Sequence, residues 1–164
     1  MPALPRTFSP AVHTMAGVID LDKTMYAQAD IRGGSSAPGL QGRAEFEAHP
    51  NGTMVTVHAW GLPQTPTGFF ALHIHEGESC SGEGFAHTGS HFNPETTPHP
   101  LHAGDLPPLL SADSNAYLAE LTSRFRVDDV IGRTVVIHSM PDDFRTQPAG
   151  DAGEKIACGI IRRR

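Results

Sequence analysis

No run of apolar residues in this chain approaches the roughly 18 that a membrane-crossing helix needs. The N-terminus also lacks a basic segment followed by an apolar stretch, because Pro5, Ser9, Pro10 and His13 interrupt every candidate. Read as written, the sequence implies a cytoplasmic protein with no membrane partner. The alternative is secretion, or export to a periplasm, with a signal already removed. Aromatic residues make up only 7% of the chain, with a single tryptophan. Basic residues are outnumbered, 12 Lys and Arg against 18 Asp and Glu, and the resulting charge of −6 argues against nucleic acid as a partner. There are only two cysteines, Cys80 and Cys158, which leaves two free thiols or one disulfide equally open. No amphipathic helical period is sustained anywhere.

What the chain has instead is punctuation. Gly 17 and Pro 14 interrupt its 164 residues every few positions, between short segments that alternate or are rich in β-branched residues. Residues 1–25 show no period and are expected to form an N-terminal extension, poorly ordered or peripheral, before one domain over 26–164. Strands are expected at Ala27–Arg32, Leu40–Ala48, Thr53–Trp60, Phe69–His75, Ala116–Leu121, Thr134–His138 and Lys155–Ile161. Asn51-Gly52 is a strong hairpin signal, since both residues tolerate positive φ. Two long loops interrupt the pattern, from Glu76 to about Pro108 and from Asp142 to Glu154. The fold class that fits is all-β, an eight-stranded antiparallel Greek-key sandwich or barrel with two long functional loops.

The chemistry-bearing residues are histidines. Seven of the ten fall at 73, 75, 87, 91, 99, 102 and 138. His73-Ile74-His75 ends a strand, where the period of two sends both imidazoles to one face and Ile74 to the other. Such a pair standing alone is usually just solvated or hydrogen-bonded. Here His91, His99, His102 and Asp105 follow in one Gly/Pro-rich segment, and nitrogen donors with one carboxylate suit copper or zinc rather than calcium or magnesium.

Gly89-Ser90-His91-Phe92-Asn93-Pro94, His102-Ala103-Gly104-Asp105-Leu106, Val135-Val136-Ile137-His138 and Gly153-Glu154-Lys155-Ile156-Ala157-Cys158-Gly159, in that order, resemble the copper,zinc superoxide dismutase family over roughly Leu40 to Ile161. The resemblance implies copper at His73, His75, His91 and His138, zinc at His91, His99, His102 and Asp105, and His91 as the bridge. It implies that Asp142 hydrogen-bonds one histidine of each set, and that Cys80 and Cys158 form a disulfide. The implied activity is dismutation of the superoxide anion to dioxygen and hydrogen peroxide, with His91 and Lys155 as catalytic residues. A homodimer is one assembly left open, since the sequence itself does not set the oligomeric state.

Lys155 is a departure, because the family places an arginine there. Lysine keeps the charge without the planar fork, so positioning of the anion should weaken. The second loop carries only Arg145 as a positive charge, and Arg162-Arg163-Arg164 reads as a solvated tail. His13, His49, His58 and His87 look incidental. A copper-handling sandwich with little turnover is the alternative function that Lys155 keeps open. A cupin-type site would want glutamate where Cys80 stands. A zinc hydrolase fails because Asp105 closes the shell and leaves no place for water.

Overall fold

The computed structural model describes residues 25–164; residues 1–24, on which the expected extension falls, lie outside the described residues. The chain builds strands β1 (Tyr26–Gly33), β2 (Gln41–His49), β3 (Gly52–Trp60), β4 (Phe69–His75), β5 (Asp105–Leu110), β6 (Asn115–Thr122), β7 (Thr134–His138), β8 (Lys155–Ile160) and β9 (Arg162–Arg163), with one helical turn, α1 (Val127–Val130). The eight longer strands pair antiparallel in the order β5-β4-β7-β8-β1-β2-β3-β6, a nearly closed Greek-key barrel. Period-two alternation closes it. Ala27, Ala29 and Ile31 of β1, Ala44 and Phe46 of β2, and Val55, Val57 and Ala59 of β3 point inward and are fully buried. Phe70, Leu72 and Ile74 of β4, with Val135 and Ile137 of β7, complete the same core.

Two sequence expectations need correction. The first long loop was expected to run to about Pro108, but it ends at Gly104, where β5 begins. Pro107 and Pro108 disguise this strand. They are tolerated because β5 lies at the end of the strand order, where a missing N–H breaks no ladder. The same strand opens with Asp105 directly opposite His73 of β4, so a ligand-type carboxylate is placed by sheet register. Second, the terminal arginines are not simply a tail. Arg162 and Arg163 pair with Gln28 and Ala27 of β1 as β9, and Arg163 also holds Asp128, although their side chains remain exposed. Inside the first loop, residues Glu83–Thr88 form a short 3-10 segment.

That first loop is stitched back to the barrel. Phe92 N–H donates to Ile74 O, Ile74 N–H to Gly104 O, and Gly104 N–H to Phe92 O, at 2.8 to 2.9 Å. Gly104 is required at this crossing, since a Cβ there would collide with the carbonyl of Ile74. A disulfide joins Cys80 of the loop to Cys158 of β8, 78 residues away. Cross-linking at that separation restricts the unfolded chain by about 4 kcal/mol in the chain-entropy model.

Candidate metal centre

The end of β4, the end of β7 and the stitched loop bring two groups of donors together. His73, His75, His91 and His138 form one, and His91, His99, His102 and Asp105 the other; all are buried, and within each group the ligand atoms lie within 4.8 Å of one another. His91 is common to both. Ile74 points into the core, as the strand period requires.

The hydrogen bonds reveal which ring nitrogens carry protons, because a carbonyl or carboxylate can only accept. His75 Nδ1 donates to Gly89 O at 2.9 Å and His138 Nδ1 to Gly153 O at 3.4 Å, so each ring leaves a bare lone pair on Nε2. Those two Nε2 atoms stand 3.2 Å apart with no proton to share. His73 Nε2 donates to Asp142 Oδ2 and His99 Nε2 to Asp142 Oδ1, both at 2.8 Å, which leaves their Nδ1 atoms bare. His73 Nδ1, His91 Nε2 and His99 Nδ1 are buried without any hydrogen-bond partner; the 3.0 Å separation of His99 Nδ1 from Asp105 Oδ2 lacks hydrogen-bond geometry. Buried lone pairs facing one another are costly unless a cation lies between them. The donor set therefore fits a metal at each cluster, with four nitrogens at the first and three nitrogens plus a carboxylate at the second.

Electrostatics keep these groups in their ligating forms. Burial, reinforced by the charges of His138, His91 and Lys155, pushes His75 down to about 2. Burial and the neighbouring His73 and His91 push His138 to about 3. Burial also lowers His73 and His102. For Asp142, burial alone would raise the carboxyl, but hydrogen bonds from His73, the Phe144 N–H and His99 outweigh it and hold the group at about 2. Asp105 is likewise held low despite its burial, chiefly by His91. Gly150 at φ 70° completes the cradle, since a Cβ there would strike the Asp142 carboxylate and the His99 ring.

Every residue the sequence singled out as a ligand or ligand partner is present in this cluster, and Cys80 and Cys158 are bonded. Asp143 turns away and instead caps its own loop through Arg145 and Thr146. His87 is exposed and bonds Ser81, while His49 and His58 sit away from the site; His13 lies outside the described residues. Lys155 lines the same cavity of about 520 Å3 as His75, His91 and His138, together with Glu76. It is not a loose side chain. Nζ donates to Thr88 Oγ1 at 2.7 Å and to Gly89 O at 3.0 Å.

Three supports were invisible in the sequence. Thr88 is one. Gln147 clamps the backbone of His99 from the second loop, accepting from His99 N–H at 3.0 Å and donating to His99 O at 2.6 Å. Arg124 Nη1 donates to the carbonyls of Pro100, His102 and Asp105 at 3.0, 3.1 and 3.2 Å. None has a local signal, because each acts across 19 residues or more.

Comparison with known proteins agrees with this geometry. The family model described as copper/zinc superoxide dismutase matches residues 40–161. "Superoxide dismutase [Cu-Zn] 2" of Aquifex aeolicus is 35% identical over 136 residues, covering 74% of this chain and 78% of the relative. The copper-zinc superoxide dismutase of Deinococcus radiodurans is 34% identical over 144 residues, 75% of this chain and 78% of its own. Among solved structures, an SOD-like protein from Bacillus subtilis superposes with a TM-score of 0.68 at 26% identity, over 80% of this chain and 95% of the other. With its two donor clusters sharing His91 and a family match spanning most of its length, the chain belongs to the copper/zinc superoxide dismutase family.

Proposed function

We propose that this protein is a superoxide dismutase that converts two superoxide anions and two protons into dioxygen and hydrogen peroxide. The observation that carries the reading is the set of converging, proton-free ring nitrogens at His73, His75, His91 and His138, beside a second set that shares His91. The first set would hold copper and the second zinc, the one supplying reversible one-electron chemistry and the other a redox-silent structural charge.

The protein's own groups prepare that chemistry. Asp142 bonds one histidine of each cluster, so the two rings cannot turn independently. His91 Nδ1 is held by Asp105 at 2.7 Å, while Nε2, free of any protein partner, is the atom that can hold a proton within the cavity. Lys155 puts a cation on the cavity wall, and Glu76 puts an anion on the same wall. The chain as a whole repels anions, so attraction of superoxide depends on local charge around Lys155 rather than on the net field.

The test is metal analysis together with dismutation measured by pulse radiolysis. Stoichiometric copper and zinc and a rate far above that of free copper are expected. Full loading with a rate no better than free copper would instead favour a copper-handling role.

A further inference from the structure

An ammonium group has three N–H bonds and no preferred plane, so the direction in which Lys155 presents its charge must come from its neighbours. Two of those N–H bonds go to Thr88 Oγ1 and Gly89 O. Thr88 is completely buried, and its hydroxyl donates to Phe85 O at 2.9 Å. With its proton committed there, the Thr88 oxygen can only accept from the lysine. Gly89 O also accepts from His75 Nδ1, which ties the lysine to the ring of a ligating histidine through one carbonyl. Among the described residues, the third N–H of Lys155 has no acceptor.

We infer that Thr88 is a positioning residue for Lys155: its buried hydroxyl anchors Nζ so that the remaining N–H faces the cavity, supplying by contact the fixed direction that arginine has by shape. The inference rests on the reading of this cavity as the superoxide site. Thr88 and Lys155 thus work as a pair, and a lysine at 155 requires a side-chain acceptor at 88. Without it, the ammonium swings among rotamers, and ordering it falls to the arriving anion.

The experiment compares copper- and zinc-loaded wild type, Thr88→Val, Thr88→Ser, Lys155→Met and the Thr88→Val/Lys155→Met double variant. Two quantities are read: the dismutation rate at low ionic strength, and the affinity of azide, an inert univalent anion, for the copper-loaded protein. Loss of a hydrogen bond to a charged group should make Thr88→Val lower both by about 3- to 10-fold, with Thr88→Ser close to wild type. In the Lys155→Met background the valine should change neither. A loss of the same size in that background would show a merely structural threonine and overturn the inference, as would an inert Thr88→Val. If Lys155→Met itself left both quantities unchanged, the guiding role of the lysine would fall first.

A readout on the unmutated protein covers poor folding of the valine variant. The chain has two lysines, Lys23 and Lys155, so their side-chain 1H–15N signals are readily told apart. In reduced, diamagnetic holoprotein, Lys155 should give a slowly exchanging ammonium signal that shifts in Thr88→Ser. A signal as fast-exchanging as that of an exposed lysine would overturn the inference.

Discussion

At the scale of single residues, the site is a problem in proton placement. For His73, His75, His99 and His138, an acceptor behind the ring takes one N–H and so decides which nitrogen stays bare. This has a consequence for the metal-free protein. In the unfolded chain, His75 and His138 protonate near the ordinary value of 6.5, whereas in the native state they sit at about 2 and about 3. Below pH 6.5 the unfolded state therefore binds more protons, and native stability falls as the pH drops from there toward 3. Asp142 acts in the same sense at lower pH, contributing stability above its unfolded value of 3.8 that is lost toward 2. The melting temperature of metal-free protein should be flat above neutrality, decline from pH 6.5 to 5, and decline less steeply in His138→Gln. Equal slopes for the two proteins, measured by circular dichroism, would contradict the lowered native pKa of His138. His73, His75, His91, His99, His102 and Asp105 were legible in the sequence because their spacing is local, whereas His138 was implied by the family resemblance. Their proton states were not, since Gly89, Gly153 and Asp142 reach them from other segments.

At the scale of elements, the question is how a loop rich in glycine and proline holds three donors, His91, His99 and His102, still. Its crossing at Ile74, Phe92 and Gly104 ties it to β4, the disulfide ties it to β8, and Arg124 ties its far end to the segment after β6. Arg124 donates to the backbone of His102 and Asp105, both members of the second cluster. Arg124→Met should leave copper at the first cluster and speed zinc release by about 10-fold, the lower end of what supporting contacts around a metal site contribute. Zinc transfer to a chromogenic chelator reads the rate, and a melting temperature that drops with no change in zinc release would assign Arg124 to stability alone. Strand positions were legible wherever the alternation of inward and outward residues was clean, as in Leu40–Ala48 and Thr53–Trp60. The strand Asp105–Leu110 was hidden by its two prolines, which forbid a central strand but not an edge one.

At the scale of the molecule, two structures share one chain. The barrel core of Phe46, Val55, Phe70, Leu72 and Ile137 contains none of the metal-binding side chains, while the first long loop supplies three of them, His91, His99 and His102. Ligand binding stabilises only the state that binds. Removing zinc should therefore lower the melting temperature by several degrees, while the far-ultraviolet β signal below the transition is retained. The check is calorimetry before and after chelation, with metal content verified. An unchanged melting temperature after complete loss of zinc would count against a structural role for the second cluster.

By itself the sequence determined the all-β alternation, the two long loops and the grouping of His73 with His75 and of His91, His99, His102 and Asp105, because these depend on neighbours within a few residues; the family resemblance added His138 and Asp142. Tertiary structure decided which nitrogen of each histidine is bare, which strand Asp105 opens, and that Lys155 is anchored rather than loose. These depend on Asp142, Thr88, Gly89 and Arg124, groups brought in from distant segments by a closed sheet and a stitched loop. Hydrogen bonds between such segments leave no period or spacing in a chain, and only folding brings their partners within hydrogen-bonding distance.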